Sequence, residues 1–188
     1  MRDIMNDLAD FWIELYGRVL DQVDVDLALL REDMAYKSGP LISPGLFTSF
    51  MLPAYRKITV FSRDCGIRLI LVDSDGNIWR RVPLCIEGGV ASVFPFQVMA
   101  GMNVVELCMA FAALKILGGL DKTALARGSG EIESALDGVT WMLGQRGYIR
   151  YADHFVPPDV PWQNSVYYRR RLNGLIDEII SGPAEAAE

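Results

Sequence analysis

Histidine is almost missing from this chain: among 188 residues there is one, His154. A site built from several imidazoles is thereby excluded. Cysteine is sparse as well. Cys65, Cys85 and Cys108 are odd in number and widely spaced, and no CxxC or CxH spacing exists for a zinc knuckle or a redox pair. Three unpaired thiols lead to the expectation of a reducing, cytoplasmic setting. Two glycine motifs are also wanting. No GxGxxG follows the first apolar run and no GxxxxGK[ST] occurs anywhere, which weighs against a nucleotide-binding doubly wound sheet. The apolar runs stop well short of the ~20 residues a membrane helix needs. Asp3, Asp7 and Asp10 in the opening decade rule out a charged-then-apolar signal segment there. Basic residues are outnumbered, and a net charge of −6 lacks the footprint of a general nucleic-acid binder.

What the chain does have is apolar material, 51% against 22% charged, as globular proteins do. Residues 1–188 are expected to form one domain that buries roughly 70% of the unfolded chain's surface.

Along the chain, Ile4, Leu8, Phe11, Trp12, Leu15 and Val19 recur at helical steps, predicting an amphipathic helix from Met1 to about Asp21. Val25–Leu30 then reads as a strand. Ser43-Pro44 is an N-cap with proline at the first helical position, opening a helix to about Cys65 with a kink expected at Pro53. The alternation repeats with strands at Ile67–Val72, Val90–Phe94, Ile116–Leu120 and Tyr148–Ala152. Helices are predicted at Ile78–Glu87, Asn103–Leu114, Glu131–Leu143 and Gln163–Ile180, and the tail Gly182–Glu188 reads as frayed. A helix followed by five βα units implies parallel strands with right-handed crossovers. The fold class expected is α/β, of the (β/α)8 TIM-barrel type, with about the last five βα units present.

In such a barrel the C-terminal strand ends share one rim, where active sites are built. Those ends carry Glu32 and Asp33, then Asp73 and Asp75, then Gln97, then Asp121 and Lys122, and last Asp153 and His154. Any one has an ordinary explanation, since aspartates cap helices and shape turns. Convergence from five strands argues for a functional rim. General acid/base work would use His154 with Asp33, Asp73 or Asp75. A divalent metal on Asp73, Asp75 and His154 is a second possibility. A third is recognition of a substrate carboxylate by Arg31, Lys37, Lys122 and Arg150, with Gln97 adding a hydrogen bond. The DSDGN stretch is no calcium loop, because Ile78 and Leu84 stand where glycine and glutamate are required.

Several stretches together resemble the uroporphyrinogen decarboxylase superfamily, which includes corrinoid-linked methyltransferases. They are Glu32-Asp33-Met34-Ala35 with Gly39-Pro40-Leu41-Ile42-Ser43-Pro44; Leu52-Pro53 before Tyr55-Arg56-Lys57-Ile58; Asp73–Asn77; Ala100-Gly101-Met102; Gly118–Lys122; and Gly147-Tyr148-Ile149 through Asp153-His154 to Pro157–Pro161 and Asn164. The resemblance covers the C-terminal part of the family pattern. It implies a (β/α)8 barrel whose first three strands have no counterpart here, hence a fragment, or a chain completed by self-association or by a missing N-terminal half. It further implies either cofactor-free decarboxylation of a carboxylate-bearing tetrapyrrole, or methyl transfer with a divalent metal and a corrinoid protein; the third alternative is an inactive assembly subunit. His154 matches a histidine that contacts substrate carboxylate. Asp33 stands in place of a substrate-binding serine, Asp73-Ser74-Asp75 in place of a zinc-binding His-x-Cys, and Gln97 and Asn103 in place of acidic residues. The essential decarboxylase aspartate and several arginines belong to the part without a counterpart.

Overall fold

The computed structural model describes residues 1–145 and 147–181; the predicted frayed tail lies outside them. The sequence alternation becomes one parallel sheet. The helix α1 (Arg2–Leu20) precedes β1 (Leu27–Arg31), and β4 (Leu69–Asp73), β5 (Ser92–Phe94), β6 (Lys115–Leu117) and β7 (Tyr148–Ile149) follow, interleaved with helices. Spatial order is β1-β4-β5-β6-β7, all neighbours parallel, so each strand joins the sheet beside the one before it. A mixed α/β fold with a five-stranded parallel sheet is therefore established.

Helix α2 (Pro44–Leu46) starts where Ser43 Oγ accepts the Leu46 N–H, as the proline-at-N1 signal predicts. It runs through a π turn (Phe47–Met51) into α3 (Leu52–Asp64). The widened turn falls directly before Pro53, which has no N–H to donate and would crowd a regular turn, so the expected kink takes this form.

Other boundaries shift for local reasons. The helix expected from Ile78 is α4 (Val82–Glu87), because Asn77 Oδ1 takes the Trp79 N–H into a turn and Pro83 must fall in the first helical turn. The helix expected over Asn103–Leu114 is α5 (Val104–Ala110), with Asn103 its N-cap, and Phe111 leaves the helical region at φ −134°, ψ 71°. β6 ends at Leu117, not Leu120, since Gly118 and Gly119 take positive φ; pairing resumes at Leu120, opposite Ala152. Two features had no forecast: the hairpin β2 (Ala35–Tyr36) and β3 (Gly39–Pro40), and the short α6 (Lys122–Arg127). Helices α7 (Ser129–Leu143) and α8 (Trp162–Ser181) complete the helical layer, Leu136 and Leu172 joining its core.

The core lies between sheet and helices. Val72, Val93, Ile116 and Tyr148 point to one side of their strands and meet Phe47, Val82, Leu107, Leu136 and Leu172 from the helical layer. The opposite faces form transverse rows: Arg31, Asp73 and Phe94 are successive register partners, and Leu117 pairs with Ile149. Rather than being covered on both faces, the sheet leaves this second side partly open. Leu27 and Leu29 are 45% and 50% exposed and Ile149 56%.

Candidate functional site

Strand exits carry the polar groups, and the fold decides which of them meet. Arg31 and Asp73 end β1 and β4 as direct register partners on the open face. Beyond them, Arg31 Nη2 lies 3.6 Å from Asp33 Oδ2, and Asp33 Oδ1 faces the Asp75 N–H at 3.4 Å. From the last strand, His154 Nε2 comes within 3.4 Å of Asp75 Oδ2. The loop around Asp75 is thus touched from β1 and from β7, the two edges of the sheet. Gly76, at φ 79°, makes the loop possible: a Cβ there would stand 2.6 Å from the Ala35 carbonyl oxygen.

Asp73 is the electrostatic centre of this group. Burial pushes its carboxyl above the ordinary range, Arg31 opposes that, and Asp75 and Asp33 add to it while His154 pulls it down. Five charged or chargeable side chains therefore act on one another here: three carboxylates, one guanidinium and one imidazole. Tyr151 joins them. Its phenol is pushed up to about 12, first by burial and then by Asp73 and Asp75, so it stays a proton donor.

Tyr151 carried no expectation, although period-two alternation places it on the side of Ile149. The same alternation takes Arg150 away. That side chain belongs with Tyr148 on the helical side, where its charge acts on the Tyr148 phenol, so it does not face Asp73.

The remaining strand-end residues do structural work. Gln97 Oε1 accepts the Gly76 N–H at 3.0 Å, tying the β5 exit to the β4 exit. Asp121 caps α6 through the Thr123 N–H and hydroxyl and pairs with Arg127. Asp153 is fully buried: its two carboxylate oxygens accept the N–H groups of Val98 at 2.8 Å and Lys122 at 3.0 Å. It clamps three strand exits together and holds Lys122 by the backbone, at the start of α6. Burial raises the Asp153 carboxyl and those two hydrogen bonds oppose the rise.

Behind the rim is a polar cluster of which strand-end reasoning named only Glu32. Glu32 forms an ion pair with Arg81 through Oε1 and accepts the Tyr55 hydroxyl on Oε2 at 2.5 Å. Arg81 is 1% exposed, with Cζ 5.1 Å from the Phe47 ring centroid. A guanidinium lacking close carboxylate support cannot be buried cheaply. The sequence signal was weak, since nothing in WRRV distinguishes Arg81 from a surface charge. Neighbouring Cys85 is buried with its thiol pushed up to about 11, which disfavours the thiolate form a nucleophile needs.

Two carboxylates and an imidazole are a plausible donor set for a divalent ion. Among the described residues, however, no three His, Cys, Asp or Glu side chains are gathered closely enough to hold one. Asp75 and His154 approach each other, but Asp73 lies in the sheet row behind them. The arrangement is better suited to moving a proton, with a raised carboxyl, an exposed guanidinium and an imidazole opening on one face. Among the described residues no helix is long and apolar enough to cross a membrane. A comparison with protein-family models and with curated proteins found no match for this chain.

Proposed function

We propose that the five parallel strands are a sector of a (β/α)8 barrel, and that its rim catalyses decarboxylation of a carboxylate-bearing substrate such as a tetrapyrrole. The observation that carries the chemistry is Asp73, whose carboxyl is raised among Asp33 and Asp75 while Arg31 and His154 stand beside it. A carboxyl so placed retains its proton nearer neutrality than a free aspartate does, which is what a general acid requires.

In this reading Arg31 pairs with a substrate carboxylate, and His154 supplies a second hydrogen-bonding partner for it. As the C–CO2 bond breaks, its electron pair stays on the substrate carbon and Asp73 delivers a proton there. Water then returns the proton to Asp73. Asp33 and Asp75 accept N–H donors of the substrate, and Tyr151 donates a hydrogen bond at the mouth of the site. No cofactor enters these steps. Lys122, Gln97 and Arg150 contribute indirectly, through loop and helix placement. The resemblance described above supports the same reaction class.

A second reading, methyl transfer with a corrinoid protein, draws on the Asp75–His154 approach, half of a divalent-metal site. Anaerobic incubation with uroporphyrinogen separates the two. Carbon dioxide release that is abolished in Asp73→Asn supports decarboxylation. Methyl transfer from methylcobalamin to a thiol, with no carbon dioxide, supports the second reading. Neither activity, with no porphyrinogen binding, leaves the chain an assembly subunit.

A further inference from the structure

Four of the five charged or chargeable groups at the candidate site come from two short chain segments. Arg31 ends β1 and Asp33 follows it; Asp73 ends β4 and Asp75 follows it. The sheet holds the two segments together only as far as the strands run. Arg31 is the last register partner, opposite Asp73, and one further bond follows, from the Glu32 N–H to the Asp73 carbonyl at 2.9 Å. Asp33 lies beyond that bond. Its side chain is 51% exposed, that of Arg31 is 75% exposed, and they stand 3.6 Å apart. Exposed pairs of this kind hold a geometry weakly.

A firmer hold lies on the other side of the sheet. Alternation along the chain sends the Glu32 side chain away from Arg31 and Asp33, to the helical side where Leu30 packs. Both of its carboxylate oxygens are engaged there. Oε1 pairs with Arg81, and Oε2 accepts the hydroxyl of Tyr55 on α3. Arg81 in turn closes the loop that Asp73 opens: it is the N-cap of α4, and its N–H donates to the Ile78 carbonyl at 2.7 Å. The ion pair thus joins the middle of one site segment to the far end of the loop that carries the other.

Stability alone does not account for two charges in this place. Replacing a buried ion pair by apolar residues of similar volume is often neutral or stabilising. Arg81 is also sparingly satisfied, since among the described residues its Nε and Nη1 meet no hydrogen-bond partner. What the pair supplies is orientation. The guanidinium sits over the Phe47 ring, which the π turn presents, and the carboxylate is held at both oxygens. Side chains so fixed by packing and hydrogen bonds are what an exposed site needs behind it.

We infer that Glu32 and Arg81 are positioning residues: their pair sets Arg31 and Asp33 against Asp73 and Asp75, so that a substrate carboxylate held by Arg31 lies within reach of the Asp73 proton. The chemistry in this inference rests on the decarboxylation reading, and the placement rests on geometry alone. With side chains 9% and 1% exposed, Glu32 and Arg81 lie beneath the site and touch no substrate. They act through their neighbours. A displacement of ~1 Å between groups that must meet costs roughly 10²-fold in rate, so a loosened brace is read in turnover.

The test uses the full chain with Glu32→Gln and Arg81→Met combined, which removes both charges together and leaves the Tyr55 hydroxyl an acceptor. Thermal melting confirms folding, and two properties of the folded protein are then measured. Amide hydrogen exchange at residue 32, which reports the bond to Asp73, should be at least tenfold faster beyond any change in the β5 amides. The kcat for carbon dioxide release from uroporphyrinogen should fall at least tenfold. Glu32→Asp keeps the charge but draws the carboxylate back by one methylene. It should show both changes at smaller amplitude, and it serves where the double variant does not fold. Arg56→Met with Glu87→Gln removes an exposed ion pair between α3 and α4 and should change neither property. Either property unchanged in a folded variant overturns the positioning role and leaves the decarboxylation reading standing. No carbon dioxide release from the parent chain refutes that reading instead, and exchange at residue 32 then decides the placement by itself.

Discussion

His154 Nε2 stands 3.4 Å from Asp75 Oδ2, although two strands, β5 and β6, separate their own, and so joins the last strand exit to the second. Both side chains are about one-third exposed, and pairs of that exposure contribute ~0–1 kcal/mol to folding. His154→Ala and Asp75→Asn are therefore expected to change unfolding free energy by less than about 1 kcal/mol. In the proposed reaction each should lower turnover by roughly 10²-fold or more. Denaturant unfolding and carbon dioxide release, measured on the same preparations, check the split. A loss of turnover that merely tracks loss of folded protein would refute the assignment.

Asp73 makes a pH-dependent prediction. Its carboxyl is raised above the ordinary 3.8, by burial first and then by Asp75 and Asp33. The folded chain therefore holds that proton more tightly than the unfolded chain does. The associated stability is fully present below the unfolded value and is lost as pH rises through the raised one. Asparagine mimics the protonated form at every pH. Asp73→Asn should match the parent near pH 3 and melt higher than it at pH 7, with no carbon dioxide release. Thermal melts between those pH values check this, and a pH-independent difference would count against it.

Asp153 is predicted to be structural. Its carboxylate closes two charge-assisted hydrogen bonds out of solvent, to residues 55 and 31 positions away. Asp153→Ala leaves two buried N–H donors without their acceptor, at a cost of roughly 2–4 kcal/mol. In a chain this size each kcal/mol lowers the melting temperature by about 2–4 °C. Asp153→Asn keeps one acceptor oxygen and should fall between. Differential scanning calorimetry distinguishes the three proteins, and an Ala variant as stable as the parent would remove the clamp.

The Glu32–Arg81 pair calls for a double-mutant cycle. Arg81→Met alone strands a buried carboxylate, and removing one partner of such a pair costs roughly 3–5 kcal/mol. Glu32→Gln with Arg81→Met removes both charges and keeps a partner for the Tyr55 hydroxyl. The double variant is expected to recover more than half of the loss. Additive losses would mean that the two charges are not coupled.

Much of the architecture was legible along the chain. Apolar runs such as Leu69–Val72 alternate with amphipathic helices, and short-range periodicity alone implies parallel strands joined by helical crossovers. The cap at Ser43 depends on a neighbour three residues away, so it too was legible; the equally local caps at Asn103 and Asp121 were not read as such. The grouping of strand ends was legible: Asp33, Asp73, Asp75 and His154 lie near one another and near Arg31.

Which strand-end groups face the site and which serve as brackets was a matter for the tertiary structure. Asp153 and His154 are adjacent in the chain. Asp153 turns inward to bind the Val98 and Lys122 amides, and His154 turns outward to Asp75. Local propensity cannot separate them, because their partners are brought near only when the sheet curls. Arg81 and Tyr151 were missed for the same reason: burial beside Glu32 and approach to Asp73 are long-range outcomes. The sequence by itself determined the order of elements and the rim's supply of charge, through interactions spanning a few residues. Tertiary packing alone decided which charges meet, since their partners lie tens of residues apart in the chain.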